Sequence, residues 1–129
     1  MTAVHPGTPT AYLAGSSEQV PEGGRLVVDV GDVTLGIFRV QGDLYAYENV
    51  CPHQGGPVCQ GRIVPRVRDV LDEGRRVVGG RFDEAELHLV CAWHGAEFNL
   101  VTGAHPTQPR FTLRSFPVEE REGSVYVTV

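Results

Sequence analysis

Two short stretches constrain this chain more than anything else in it: Cys51-Pro52-His53 and Cys91-Ala92-Trp93-His94. Each joins a thiol to an imidazole, and each reaches a glycine within two residues of its histidine, at Gly55 and Gly95. Each also follows a segment that reads as a β-strand. Leu44-Tyr45-Ala46-Tyr47 delivers the chain to Cys51, and the alternating Glu86-Leu87-His88-Leu89-Val90 runs straight into Cys91. Either pair alone is a weak signal. Two pairs on loops that leave strand ends can converge on one site, and two thiolates with two imidazoles make a four-ligand set for metal.

The rest of the composition narrows the setting. At 129 residues the chain is expected to form one domain, residues 1–129, with a core that needs no disulfide staples. Three cysteines are too few, and odd in number, for a disulfide scaffold, so metal ligation is the better reading. No apolar run is long enough to span a bilayer, so no membrane partner is expected. The start, Met1-Thr2-Ala3-Val4-His5-Pro6-Gly7, shows no basic region, no apolar stretch and no twin arginine, and a cytoplasmic location is expected. A net charge of −5 argues against a nucleic-acid binder, which needs a basic footprint.

The local pattern is short strands between glycine turns, with no sustained helical period. Strands are expected at Arg25–Val30, Val33–Val40, Leu44–Tyr47, Glu86–Val90, Glu97–Leu100, Arg110–Val118 and Ser124–Val129. Turns are placed at Gly31-Asp32, Gly42-Asp43, Thr102-Gly103 and Glu122-Gly123. The first fifteen residues are expected to lie loosely on the surface. The fold class is therefore all-β.

Two chemistries suit the ligand set. One is a structural Cys₂His₂ zinc site, whose paired ligands usually sit two to four residues apart. The other is an iron–sulfur centre in which histidines replace two cysteines. The flanking residues favour the second. Asn49-Val50-Cys51-Pro52-His53-Gln54-Gly55-Gly56, Val90-Cys91-Ala92-Trp93-His94-Gly95 and Phe98-Asn99-Leu100-Val101-Thr102-Gly103 resemble the Rieske family, and the likeness runs from about Tyr12 to Val129. It implies an antiparallel β-sandwich carrying a small cluster-binding subdomain at one end, that part covering about residues 46–109, and one [2Fe–2S] cluster, with Cys51 and Cys91 on the inner iron and His53 and His94 on the outer one. Two ferric ions, two sulfides and two thiolates then sum to zero charge, which eases reduction relative to an all-cysteine cluster. The resemblance further implies a ferredoxin, an electron carrier and not itself an enzyme. It would take single electrons from a flavin or NAD(P)H-dependent reductase and pass them to a terminal, ring-hydroxylating oxygenase. The oxygenase's mononuclear iron, held by two histidines and a carboxylate, needs a large additional domain for which this chain has no room. A fixed relay subunit resembling that of nitrite reductase is the alternative, and a zinc-stabilised interaction module is a third reading. The oligomeric state is not legible.

Measured against the family, the chain lacks several features. High-potential members carry two further cysteines that bridge the loops, and a serine and a tyrosine whose hydroxyls donate to sulfur. The corresponding positions here are Gly56, Trp93, Ala96 and Phe98. Hydrogen bonds to sulfur favour the more negative reduced state, so their absence predicts a potential at the low end of the Rieske range, about −150 mV. Cys59 is expected to be a small buried hydrophobe, and Trp93 a shield for the cluster. His105-Pro106-Thr107-Gln108-Pro109 resembles the family's third, proline-bearing loop, which covers the cluster; His105 is not expected to ligate it, and His5 and His88 are expected at the surface. Finally, 37 residues separate His53 from Cys91, about twice the family's usual separation. The excess, about residues 62–84, reads as an inserted hairpin: Ile63–Leu71, a turn at Asp72-Glu73-Gly74, then Arg75–Gly80. All basic residues of the chain are arginines, and six of the eleven fall between Arg62 and Arg81. That stretch suits either a docking contact or a solvated, salt-bridged surface ribbon.

Overall fold

The computed structural model describes residues 10–52, 55–91, 95–108 and 110–129, without the side chains of 67–69 and 81–85. Among the described residues there are ten strands and two single-turn 3₁₀ helices (Ser17–Gln19 and Val58–Gln60). They form two compact units: residues up to Asn49 together with Arg114–Val129, and Val50–Leu113.

The first unit holds two antiparallel sheets. One has the order β1 (Ala11–Ser16), β10 (Ser124–Thr128), β9 (Val118–Arg121). The other has the order β2 (Arg25–Val30), β3 (Val33–Val40), β4 (Asp43–Glu48), β8 (Ser115–Phe116). Strand alternation turns Val125 and Val127 of β10 toward Leu35 and Ile37 of β3, and with Val20, Val30, Ala46 and Phe116 they make one buried core. Arg39 of β3 ties the sheets together at their edge. Its guanidinium donates Nη2–H to Glu120 Oε2 at 2.7 Å and Nε–H to the Val20 carbonyl at 2.7 Å.

Three expectations are corrected here. Residues 11–15 do not lie loose; Ala11–Ser16 is an edge strand registered on β10 from Ala11↔Thr128 to Ser16↔Ser124. The β3–β4 turn is Gln41-Gly42, one residue earlier than expected. Both have positive φ (52° and 85°), and the Glu22 carboxylate accepts hydrogen bonds from both amides. The span Arg110–Val118 is not one strand: Thr112 makes an isolated bridge with Ala104, Ser115–Phe116 pairs with β4, and after Pro117, which has no N–H to continue that ladder, Val118 begins β9 in the other sheet. The N-terminal residues 1–9, His5 among them, lie outside the described residues.

The second unit is built on a three-stranded antiparallel sheet, β5 (Arg62–Leu71), β6 (Val77–Val90) and β7 (Glu97–Asn99). The expected hairpin exists, but β6 runs unbroken from Val77 into the strand that reaches Cys91, and Arg75 (φ 61°) belongs to the turn. Asp72 closes that turn. Its amide donates to the Arg76 carbonyl, and its carboxylate accepts from the Arg76 amide at 2.9 Å. Pairing runs Pro65↔Leu87 and then Arg66↔Asp83, so residues 84–86 bulge out of the ladder. Pro65 is tolerated because β5 is an edge strand and the bulge sits beside it. Beyond the bulge the hairpin is a two-stranded ribbon whose tip exposes Val70, Leu71, Val77 and Val78.

Candidate metal centre

Cys51 and Cys91 open two loops with the same backbone wiring. The Cys51 amide donates to the Gly56 carbonyl at 2.7 Å, and the Gly55 amide donates to the Cys51 carbonyl at 2.7 Å. In the second loop the Cys91 amide donates to the Ala96 carbonyl at 2.8 Å, and the Gly95 amide donates to the Cys91 carbonyl at 2.9 Å. The offsets from cysteine are identical. Gly55 (φ 78°) and Gly95 (φ 69°) both need the left-handed region that glycine enters without penalty, and among the described residues no atom lies within 4 Å of where a Cβ would stand on each. Both cysteines are buried, at 2% and 1% exposure, and neither is in a disulfide.

The sequence gives no hint of how the loops are held. Gly61 follows the 3₁₀ turn Val58–Gln60, donates its amide to the Val58 carbonyl, and packs directly under the backbone of Val90. A Cβ at Gly61 would overlap the Val90 carbonyl oxygen and stand 2.8 Å from its carbon. Gly61 therefore brings the end of the first loop segment against the residue that precedes Cys91. Cys59, on the same turn, is fully buried, as its reading as a small hydrophobe requires.

The second loop is the tip of the β6–β7 hairpin, registered Val90↔Glu97, Leu89↔Phe98 and His88↔Asn99. Leu89 and Phe98 are completely buried. The Asn99 side-chain oxygen accepts from the Val101 and Thr102 amides at 2.8 and 3.1 Å, forming an Asx turn that starts the third loop. There His105 Nδ1 accepts from the Thr107 and Gln108 amides at 3.2 and 3.1 Å. Its ring meets Phe98 edge-on, with centroids 5.9 Å apart. His105 is thus an organiser of its own loop.

His88 overturns its surface reading. It is 2% exposed, with Nε2 2.6 Å from Glu86 Oε2 and Nδ1 3.2 Å from Glu97 Oε1. Arg66 Nη1 stands 3.0 Å from the same Glu86 oxygen. The His88 hydrogen bond, with Arg66 beside it, holds the Glu86 carboxyl below the usual carboxylate range, against the opposing effect of burial. Arg66, His88 and Glu97 border a groove of about 540 Å³ shared with Ala96, His105, Pro106 and Thr107. Position three before Cys91 is the one sequence signal that could have marked His88.

His53, His94 and Trp93 lie outside the described residues, and among the described residues no group of three or more His, Cys, Asp and Glu is placed to hold a metal. The cysteine half of the set does fit an iron–sulfur centre. Two buried thiols stand on two equivalent loops, each loop with room at its glycine. A model of the Rieske [2Fe-2S] domain matches residues 10–117.

The chain belongs to the Rieske [2Fe–2S] domain family.

Its cofactor is accordingly a Rieske-type [2Fe–2S] cluster. The Rieske domain is similar to Ferredoxin CarAc of Metapseudomonas resinovorans, 29% identical over 116 residues and 89% of each chain. It is similar to a chain in a complex of reduced oxygenase and oxidized ferredoxin in carbazole 1,9a-dioxygenase, with 26% identity, TM-score 0.62 and 91% of each chain covered. It is also 29% identical over 101 residues to nitrite reductase [NAD(P)H] of Emericella nidulans, covering 75% of this chain but 8% of that enzyme. No helix among the described residues is long and apolar enough to cross a membrane.

Proposed function

We propose that this protein is a Rieske ferredoxin. It carries single electrons from a flavin or NAD(P)H-dependent reductase to a terminal oxygenase of the ring-hydroxylating kind, in the cytoplasm. The carrying observation is the pair of buried cysteines on identically wired loops, in a chain matching ferredoxin components along most of their length and its own. Cys51 and Cys91 would hold the inner iron through sulfur, and His53 and His94 the outer iron through nitrogen. When bound, the cluster supplies a one-electron couple. The protein's part is to fix the ligand loops, keep water from the two sulfurs and set the local charge. Metal analysis tests this directly. Two iron and two acid-labile sulfide per chain are expected, and one zinc with no sulfide would overturn it.

Likeness to a nitrite reductase favours a second reading, a fixed relay within a larger enzyme. Size exclusion with a candidate large subunit separates the two. A monomer that dissociates on dilution supports the shuttle, and a persistent complex supports the relay.

The potential follows from Ala96, a position with no hydroxyl to offer. Ala96→Ser is expected to raise the potential by tens of millivolts. A preference of about 1.4 kcal/mol for the reduced state corresponds to about 60 mV for one electron. Voltammetry on the loaded protein reads it, and an unchanged or lowered potential removes the account of the low value.

A further inference from the structure

Arg66, Glu86, His88 and Glu97 form a chain across all three strands of the second unit. Arg66 stands on β5, Glu86 and His88 on β6, and Glu97 on β7. The chain starts at the bulge and ends at the first strand residue after the second loop. Alternation along β6 puts Glu86 and His88 on one face, and the register His88↔Asn99 makes Glu97 the diagonal neighbour.

The chemistry of the middle member is constrained. Both ring nitrogens of His88 face carboxylate oxygens, and the ring is almost fully buried. Ionised carboxylates only accept, and a neutral imidazole has one N–H to give. A neutral ring would set a nitrogen lone pair against one carboxylate oxygen, 2.6 Å away at Glu86 or 3.2 Å away at Glu97. With both nitrogens protonated the chain alternates in sign, Arg⁺–Glu⁻–His⁺–Glu⁻, and every hydrogen bond has a donor. Among the described residues, His105 is the other titratable group lining this groove. Its Nδ1 is taken by two backbone amides.

We propose that His88, as an imidazolium clamped between Glu86 and Glu97, is a positioning residue for the second cysteine loop. It pins the strand entering the loop, three residues before Cys91, to the strand leaving it, one residue after Ala96. It also places a buried positive charge beside that loop. This rests on Cys91 being a cluster ligand.

The test compares His88→Gln and Glu97→Gln in the cluster-loaded protein, with iron and sulfide measured in the same samples. Hydrogen exchange by mass spectrometry is expected to rise about tenfold or more in residues 91–96, the cost of a lost charge-assisted bond, and to stay unchanged in residues 51–56. The reduction potential is expected to fall in His88→Gln, which removes a cation, and to rise in Glu97→Gln, which removes an anion. Loosening alone would move both variants the same way. Shifts of like sign, or exchange that rises in both loops or in neither, overturn the proposal. Should His88→Gln not fold, Glu97→Gln decides alone: faster exchange confined to the second loop with a raised potential supports the clamp, and the lack of either overturns it. Wild-type protein with two iron and two sulfide keeps the ferredoxin reading intact whichever way the clamp is decided.

Discussion

Gly61→Ala is expected to lower the melting temperature by about 10 °C and to cut the yield of loaded cluster. The alanine methyl would occupy the place of the Val90 carbonyl, and neither neighbour is a flexible side chain that can swing away. Overpacking of this kind costs about 3 kcal/mol, and in a domain of this size each kcal/mol is worth about 3–5 °C. The strain is directional as well. Relief requires Val90 to retreat, and Val90 is bonded to Cys91. Iron content should therefore fall more than stability alone explains. Gly79→Ala is the control, since nothing lies within 4 Å of a Cβ there. Thermal melts and iron content of both variants check this. A Gly61→Ala protein matching the wild type would show that the first loop segment and Val90 are not held by close contact.

The second large effect separates the cysteines. Cys91→Ser is expected to abolish the cluster, with iron and acid-labile sulfide falling to background and the visible absorbance lost. A serine hydroxyl at neutral pH supplies no thiolate to an iron. Cys59→Ala removes an equally buried sulfur and is expected to keep the full cluster. Its cost is about 1 kcal/mol of stability from the small cavity it leaves. Loss of iron in Cys59→Ala, or retention in Cys91→Ser, would reassign the ligand set.

The strands that alternate cleanly were legible because their code is local. β2 and β3 are rich in β-branched residues on either side of Gly31-Asp32, and the structure pairs Val30 with Val33 there. β1 was illegible for the opposite reason. Its only partner in the sheet is β10, more than a hundred residues away, and as an edge strand it leaves Leu13 64% exposed. At the candidate centre, the cysteine loops announced themselves through residue type and spacing. Gly61 and His88 did not. A close-approach glycine looks like any turn glycine until the opposing backbone is known. A histidine between Leu87 and Leu89 reads as the polar face of a strand until Glu97 of β7 and Glu86, itself bonded by Arg66, are seen on its two ring nitrogens.

The bulge at residues 84–86 has a consequence for how such a chain can change over generations. It separates an inner ladder, residues 62–65 on 87–90, from an outer ribbon that shifts register once more between Val70 and Leu71. Residue pairs gained or lost beyond the bulge alter the ribbon's reach by about 3.4 Å apiece. They leave unaltered which residue faces which between 62–65 and 87–90. The arm is adjustable and its bracket is fixed. Selection can thus lengthen, shorten or recolour the outer ribbon for new surroundings while the strand that carries Cys91 keeps its alignment.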